Sequence, residues 1–330
     1  MKFLVIRFSS IGDIILTTPI IRCLKIQKDV EVHYLTKKSF TSLLQQNPYI
    51  TKIWSIQKSI REVIPALRKE GFTHIIDLHK NFRSTWLNLS LRGKYLTFDK
   101  LNPEKWLFVN FKLDLLPIKH LVDRYFEALS VLGIRNDGAG LDYFLPQNEE
   151  IDLASENTGG RFICFVVGGG HATKKMTAGQ ISDICRQLPL PVVLLGGKED
   201  SVVGDYVLSK NNHVSNWCGK TTIHGSASLI RQCSLLITHD TGMMHIGAAL
   251  KKKIISIWGN TVPKFGMFPY YPESQEPLNK IIEIHNLPCR PCSKIGYSSC
   301  PKGHFNCIKE IKPGRIAQVA RDLLSDNIEI

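Results

Sequence analysis

The chain has 330 residues, 43% hydrophobic and 22% charged, which fits two globular domains of roughly 150 residues each and excludes a disordered or fibrous chain. The 42 Lys and Arg residues outnumber the 29 Asp and Glu residues, and the net charge of +13 favours anionic partners. Because these cations are scattered rather than concentrated in one helix or tail, we do not expect nucleic acid as a partner. No apolar run approaches the roughly 18 to 20 residues of a membrane-spanning helix.

Short apolar segments alternate with helical patterns through the first half of the chain. Arg7 and Asp13 interrupt the first apolar stretch and no small-residue cleavage site follows, so a strand is predicted at 2–7 rather than a signal peptide. Continuous apolar strands between helices are typical of a parallel sheet covered on both faces. Further strands are predicted at 30–35, 52–56, 74–79 and 94–98, and helices at 12–27, 59–70 and 120–132.

Residues 134–160 are rich in Gly, Asn and acidic residues and are predicted to link a domain at 1–150 to a domain at 151–330. The alternation then restarts, so two successive doubly wound, Rossmann-like units are expected to face a central cleft. In such sheets ligands bind at the carboxyl ends of the strands. Strands are predicted at 161–168, 191–196, 235–240 and 253–259, helices at 177–187, 199–209, 223–233 and 241–250, and a last helix at 313–325 that could pack back on the first domain.

The loop after the first strand contains Ser10, Gly12 and Asp13. A carboxylate at a helix N-terminus is favoured by the helix dipole, so capping is one interpretation of Asp13. A carboxylate at the mouth of a cleft is also suited to remove the proton of a sugar hydroxyl, if it lies within hydrogen-bond reach. The local sequence leaves both interpretations open.

Three glycines, Gly168 to Gly170, follow the first strand of the second domain, and Lys174 comes soon after them. Glycines let the backbone approach a phosphate, and lysine supplies a compact positive charge. The order of residues matches neither a Walker loop nor a G-x-G-x-x-G fingerprint. A flexible turn with solvated lysines therefore stays an alternative to a phosphate site.

The segment THDTGMMHIGAAL at 238–250 is the most informative, because Asp240 ends a strand and Thr241 and Gly242 begin a helix. The N–H groups of a first helical turn lack partners within the helix and can bind an anion. The alternative is an ordinary capped helix in which His245 is a buried histidine.

Nine cysteines divide into two groups. Five lie singly in apolar surroundings and are predicted to be buried thiols: Cys23, Cys164, Cys185, Cys218 and Cys233. The other four cluster near the C-terminus with His304 among them: Cys289, Cys292, Cys300 and Cys307. Such a cluster can bind structural zinc, but its later spacings do not match a standard zinc knuckle, so packed thiols or a disulfide are alternatives. We do not expect these cysteines to act in catalysis.

Five stretches of the chain form a recognisable combination of motifs: SSIGDI and TTP within 9–19, DLHKNFRS at 77–84, TKK at 173–175, HDTGMMHIGAA at 239–249 and WGNTVPKFG at 258–266. Together they resemble glycosyltransferase family 9, the ADP-heptose:lipopolysaccharide heptosyltransferases. The resemblance covers nearly the whole chain, and the combination of Asp-Thr-Gly-x-x-His-x-x-Ala-Ala with an N-terminal Gly-Asp is specific. Where the family often has Lys-Arg-Trp-Pro, this chain has KKMT at 174–177, without the aromatic residue.

The resemblance implies an α/β GT-B fold and an inverting, metal-independent transfer from a nucleotide sugar, with no further cofactor required. It implies that Asp13 is the catalytic base. Donor-binding residues are expected at Gly169, Gly170, Thr173, Lys174, Asp240, Thr241, Gly242, His245 and Thr261. Acceptor-binding residues are expected at Ser10, Gly12, His79, Asn81, Arg83 and Arg124.

The function implied is the transfer of heptose from ADP-heptose to a lipopolysaccharide core or related glycolipid. The positive net charge fits a cytoplasmic enzyme that works peripherally at the inner face of the cytoplasmic membrane on an anionic acceptor. Two alternatives remain: a non-hydrolysing sugar-nucleotide epimerase, which needs no acceptor, and a non-enzymatic protein that binds nucleotides or nucleic acid and shows salt-sensitive binding without turnover.

Overall fold

The computed structural model describes residues 1–153, 160–275 and 278–325. The chain forms two compact units. The first unit consists of Met1–Leu101, Ile118–Phe144 and Tyr270–Ser274, and the second of Asn102–Pro117, Leu145–Pro269 and the described residues from Gln275 onward. The division at residue 150 stays a prediction, and residues 154–159 of the predicted linker lie outside the described residues.

The first unit contains a five-stranded sheet in which every neighbouring pair of strands is parallel, in the order β3-β2-β1-β4-β5. Phe3 pairs with Val32 on one side and with His74 on the other. The order reverses direction between β1 and β4, which places a crevice for ligands at the carboxyl ends of these two strands. The strands are β1 (Lys2–Ile6), β2 (Glu31–Lys37), β3 (Lys52–Ile56), β4 (His74–Asp77) and β5 (Lys94–Thr97).

Six α-helices lie within residues 1–153, and α5 alone among them belongs to the second unit. Buried aliphatic residues such as Leu4, Ile75 and Leu87 form the core of the first unit. Arg22 of α2 is buried and binds the carboxylates of Asp137 and Asp142, so this part of the glycine-rich stretch is fixed to the first unit. The helices are α1 (Ile11–Ile15), α2 (Thr18–Lys28), α3 (Ile64–Glu70), α4 (Phe82–Ser90), α5 (Asn102–Phe111) and α6 (Leu121–Leu129).

The second unit contains a six-stranded sheet, again with parallel neighbours, in the order β11-β10-β9-β6-β7-β8. Counted within the unit, this is the 3-2-1-4-5-6 order of dinucleotide-binding folds, with its reversal between β6 and β9. The strands are β6 (Ile163–Val166), β7 (Val192–Leu195), β8 (Val214–Asn216), β9 (Leu235–His239), β10 (Ile254–Trp258) and β11 (Asn279–Glu283).

Six further helices complete the second unit. The last of them, α12, packs on α7 and buries Ile316, Ala320 and Leu323 in the core of this unit. The apolar face of α12 is therefore used within the second unit, and its packing on the first domain stays a prediction. The helices are α7 (Ala178–Cys185), α8 (Ser201–Leu208), α9 (Ile223–Gln232), α10 (Gly242–Ala249), α11 (Asn306–Lys309) and α12 (Pro313–Ser325).

The predicted class of two doubly wound parallel α/β sheets is confirmed. The elements that the sequence did not predict are α4, α5, α11 and the edge strands β8 and β11. Within the described parts of the chain, no helix combines the length and the hydropathy needed to cross a bilayer.

Candidate active site

The loop after β1 holds Asp13 in a bonded pair with a buried arginine. The Asp13 Oδ1 atom lies 2.5 Å from the Nη2 atom of Arg7. Its Oδ2 atom accepts hydrogen bonds from the backbone N–H of Ser10 at 3.0 Å and from the Ser10 hydroxyl at 2.9 Å. Asp13 therefore caps the start of α1, as one of the two interpretations expects, and its side chain is still 17% exposed.

The surroundings keep the Asp13 carboxyl ionised. Burial by itself raises its pKa, but the Arg7 guanidinium and the two Ser10 hydrogen bonds outweigh that effect and hold the pKa below its usual value. A carboxylate has about four acceptor positions, and three are used here, so about one is left for a substrate proton. Capping and proton acceptance are therefore compatible at this residue.

Arg7 is fixed from several directions. Its Nε–H donates to the carbonyl oxygen of Ser9 at 2.9 Å, and its Nη1 donates to the carbonyl oxygen of Leu78 and to the Tyr125 hydroxyl at 3.3 Å. Since Leu78 follows β4, the guanidinium joins the carboxyl ends of β1 and β4. The carboxylate at residue 13 thus sits at the point where this sheet reverses its strand order.

The loop after β4 brings His79 to the same edge. The His79 ring packs 4.8 Å from the Phe8 ring, and burial, with the nearby charges of Arg7 and Lys100, lowers its pKa to about 4. The imidazole is therefore neutral at physiological pH. Its backbone N–H donates to the buried Asp77 carboxylate at 2.9 Å, so Asp77 shapes this loop.

Two predicted acceptor residues have structural partners of their own. Asn81 caps α4 by accepting the N–H of Ser84 at 3.0 Å. Arg124 of α6 is only 3% exposed, and its Nη1 donates to the carbonyl oxygen of Asp99 at 3.4 Å. Gly12 is buried within α1.

A basic pocket of about 550 Å³ lies beside this edge, wholly within the first unit. Arg83, a predicted acceptor residue, is exposed and lines it. Four cations and three aromatic rings in one pocket suit a ligand that combines negative charge with apolar or sugar surface. The cationic side chains are Lys37, Lys58, Arg61 and Arg83, and the aromatic ones are Phe8, Phe82 and Trp86.

In the second unit, three predicted donor residues form one hydrogen-bonded group. The Lys174 Nζ atom lies 2.6 Å from the Oδ2 atom of Asp240, and the Thr261 hydroxyl donates to the same oxygen at 2.8 Å. These residues follow β6, β9 and β10, so the loops at the carboxyl ends of three neighbouring strands meet here. Thr173 is buried and exchanges hydrogen bonds with the backbone of Tyr297.

The start of α10 lies beside the glycine loop. A Cβ added to Gly169 would lie 3.5 Å from the Thr241 methyl group, whereas one at Gly170 would meet open space. The Thr241 side chain makes no capping bond to the first turn, whereas the Met244 N–H donates to the Thr241 carbonyl oxygen at 3.2 Å, so the N–H groups of Gly242 and Met243 are the ones that can bind an anion. His245 is 2% exposed within α10, which fits its interpretation as a buried histidine.

The second lysine of the TKK segment has a different partner. Lys175 Nζ lies 3.1 Å from the buried Asp200 carboxylate, which also accepts the N–H of Gly197 at 3.0 Å. A Cβ at Gly168 would overlap this carboxylate, so the glycine is required for the loops after β6 and β7 to approach Asp200. Lys175 is thereby fixed next to the glycine loop.

Arg290 fixes the loop after β10 from the cysteine-rich segment. Its guanidinium donates to the carbonyl oxygens of Gly259 at 2.5 Å and Thr261 at 2.7 Å and pairs with Glu283 at 2.5 Å. Between the two carbonyls lies Asn260, which is fully buried. The position of the Thr261 hydroxyl against Asp240 thus depends on a residue that the sequence did not single out.

All nine cysteines are free thiols, and the five singly placed ones are buried as predicted. In the C-terminal cluster, the Cys289 sulfur lies 3.6 Å from the Nε2 atom of His304. Among the residues described, no three His, Cys, Asp or Glu side chains are placed to hold a metal ion. The predicted disulfide alternative is wrong for this structure, because Cys289, Cys292, Cys300 and Cys307 are all unpaired.

Three important residues were not predicted: Arg7, Asp200 and Arg290. Arg7 carried a signal, since a charge that ends an apolar strand is uncommon. Asp200 lies 25 residues from Lys175, and Arg290 lies 29 residues from Thr261, so no local pattern identifies these pairings.

Known proteins resemble this chain in sequence and in fold. The model of glycosyltransferase family 9 (heptosyltransferase) matches residues 60–298. Lipopolysaccharide heptosyltransferase 1 of Campylobacter coli is 23% identical over 99% of this chain and 100% of its own length. Lipooligosaccharide heptosyltransferase 2 of Campylobacter jejuni is 34% identical over a segment that spans 36% of this chain and 34% of that protein. The solved E. coli ADP-heptose lps heptosyltransferase II shares the fold, with a TM-score of 0.74, 18% identity and coverage of 99% of both chains.

Proposed function

The chain belongs to glycosyltransferase family 9, and we propose that it transfers heptose from ADP-heptose to a lipopolysaccharide core or related glycolipid, with inversion at the anomeric carbon. The observation that carries the proposal is that each sheet has a suitable group at the carboxyl ends of its strands. The second unit has a helix start that can bind an anion, with Lys174 beside it, and the first unit has the ionised Asp13. The names of the relatives support the sugar and the acceptor class.

In this proposal the donor diphosphate binds at the first turn of α10. Its oxygens accept from the N–H groups that begin at Gly242 and from Lys174, whose partner Asp240 then keeps the lysine in place. Gly169 and Gly170 let the phosphates approach the backbone. These donors also stabilise the charge that develops on the departing phosphate.

The anionic part of the acceptor occupies the basic pocket of the first unit. Lys37, Lys58, Arg61 and Arg83 supply its positive charge, and the aromatic rings suit the faces of sugar rings. In this proposal the neutral His79 ring accepts or donates one hydrogen bond to the acceptor.

Asp13 acts as the general base. The acceptor hydroxyl gives its proton to the Asp13 carboxylate while its oxygen forms the bond to the anomeric carbon. The bond from that carbon to the donor phosphate breaks, and its electron pair leaves with ADP. Arg7 stabilises the carboxylate before transfer, which makes Asp13 a weak base, so proton transfer must accompany attack rather than precede it.

The test is to incubate the purified chain with ADP-heptose and a delipidated heptose-deficient core acceptor and to follow ADP release and the mass of the acceptor. The proposal predicts ADP release that depends on acceptor and adds one heptose. The same assay separates the alternatives: an epimerase would alter the donor without acceptor, and a binding protein would bind ADP without releasing product.

Cytoplasmic, peripheral localisation at the inner membrane is part of the proposal, since a glycolipid acceptor resides in a bilayer. The net charge of +13 supports it through attraction to anionic lipid headgroups.

A further inference from the structure

Helix α5 and the residues after it expose large apolar side chains on the second unit. None of the residues of α5 is buried. Trp106 is 57% exposed and Phe111 66%, and in the following segment Leu113 and Leu115 are 50% and 56% exposed. Single exposed apolar side chains are ordinary, but four so close together form a surface typical of an interaction site.

The contacts that attach α5 to its unit leave these side chains exposed. The Phe108 ring packs 6.1 Å from the ring of Phe265, and the Lys112 Nζ atom donates to the carbonyl oxygen of Pro291 at 2.7 Å. Residues other than the exposed rings therefore attach the helix to its unit.

The exposed groups include a pair of rings in contact and have a cationic neighbour. The rings of Trp106 and Phe111 meet edge to face, with centroids 5.3 Å apart. Lys294 reaches the side chain of Asn102 at 3.4 Å, so the loop that carries it lies beside α5, and the adjoining Ile295 is 56% exposed. In the same region, the negative charge of Asp114 is paired with Lys264.

We propose that this surface, formed by Trp106, Phe111, Leu113 and Leu115 beside Lys294, docks on an anionic lipid bilayer. Tryptophan and phenylalanine insert readily at the boundary between headgroups and acyl chains, and lysine is attracted to anionic headgroups. An apolar surface with aromatic rings and an exposed lysine at its border fits such a bilayer better than a neutral protein groove. The inference rests on the proposed function in one respect, because a lipid-bound acceptor would bring the enzyme to a membrane.

The test uses the full chain and vesicles of phosphatidylethanolamine with phosphatidylglycerol, compared with vesicles of phosphatidylcholine alone. We expect flotation of the wild-type chain with the anionic vesicles. The double variant Trp106→Glu, Phe111→Glu should lower the partition coefficient about tenfold or more, because two acidic groups replace the inserting rings. Trp106→Ala with Phe111→Ala should give a smaller loss, and Trp106→Phe alone should retain binding.

The matched control is the double variant Val202→Glu, Tyr206→Glu on α8, which places the same two acidic groups at side chains of the same unit that are 76% and 46% exposed. It should float like the wild-type chain. Circular dichroism establishes whether the variants fold. If the glutamate variant does not fold, the flotation of the alanine variant tests the proposal instead. Three results would each overturn the proposal. The wild-type chain could fail to bind anionic vesicles, the glutamate variant could bind them as well as the wild-type chain does, or the chain could form a dimer through this surface without binding vesicles.

Turnover on the delipidated acceptor separates the two proposals. The glutamate variant should retain wild-type turnover there and lose it only when the acceptor is embedded in vesicles. If the wild-type chain binds vesicles through this surface but transfers sugar to no acceptor, the proposed function is wrong and the docking surface stands.

Discussion

Replacing Asp13 by Asn removes one negative charge while keeping an oxygen that can accept the Ser10 hydrogen bonds. General-base catalysis contributes about 100-fold to 10,000-fold to the rate, so turnover should fall by about that factor. ADP affinity should change little, because the donor residues belong to the second unit. Acceptor-dependent ADP release measures the first quantity, and calorimetric titration with ADP measures the second.

The same change should destabilise the first unit, because Arg7 loses its carboxylate partner. Breaking a buried ion pair costs about 3–5 kcal/mol. Here Arg7 keeps the carbonyl oxygens of Ser9 and Leu78 and the Tyr125 hydroxyl, and Asp13 is 17% exposed, so we expect about 2 kcal/mol. Urea unfolding monitored by circular dichroism measures this difference.

The difference in the free energy of unfolding between the wild-type and Asp13→Asn chains should depend on pH. The pKa of Asp13 is lower in the folded chain than the value of about 3.9 in an unfolded chain. Its stabilising effect is therefore complete above about pH 4 and is lost as the pH falls through the folded pKa. Wild-type and Asp13→Asn chains should become more alike in stability only in that acid range.

Asp29→Asn is the matched control, since Asp29 pairs with Lys25 at 3.1 Å but is 94% exposed. The left-handed backbone of Asp29, with a φ of 45°, also tolerates Asn. Neither turnover nor stability should change measurably in this control. If Asp13→Asn kept turnover within about threefold of wild type, general-base catalysis by Asp13 would be refuted.

Three further predictions concern the second unit. Lys174→Ala should weaken ADP binding about 10-fold to 100-fold, because one charge-assisted hydrogen bond to the diphosphate is lost. The control Lys210→Ala, on the exposed surface, should leave the calorimetric titration with ADP unchanged. Gly247→Ala should destabilise the unit by about 1–3 kcal/mol in urea unfolding, because its Cβ would overlap a side chain of β9, while Gly179→Ala, with open space around its Cβ, should be neutral or stabilising. Burial lowers the pKa of His239 to about 4, so the unfolded chain binds the proton more readily than the folded chain. The free energy of unfolding should therefore fall by about 2 kcal/mol from pH 7 to pH 5. His239→Gln should reduce this dependence on pH in urea unfolding.

The fold class was predictable because its signal is local. Continuous apolar runs such as Ile163–Val166 are buried at every residue, and they mark the central strands. The edge strand Asn279–Glu283 has mostly half-buried or exposed residues, so it lacks that run. Helix α5 was missed for a related reason, since none of its residues is buried.

The candidate site was predictable in those of its residues that belong to recognisable local motifs. The segments that resemble the family identified Lys174, Asp240 and Thr261, which the structure joins by hydrogen bonds, and the family itself is confirmed. Sequence could not show that adjacent Lys174 and Lys175 bind different carboxylates. Nor could it show that Arg7 would hold Asp13, because that pairing depends on the turn between them.

The most direct test of the account is a crystal structure of the chain with an unreactive ADP-heptose analogue and a delipidated acceptor. The account predicts the diphosphate against Lys174 and the N–H groups that begin at Gly242, with the acceptor hydroxyl about 3 Å from the Asp13 carboxylate. A diphosphate bound away from the start of α10, or an acceptor whose hydroxyl approaches another base and leaves Asp13 paired only with Arg7 and Ser10, would contradict it.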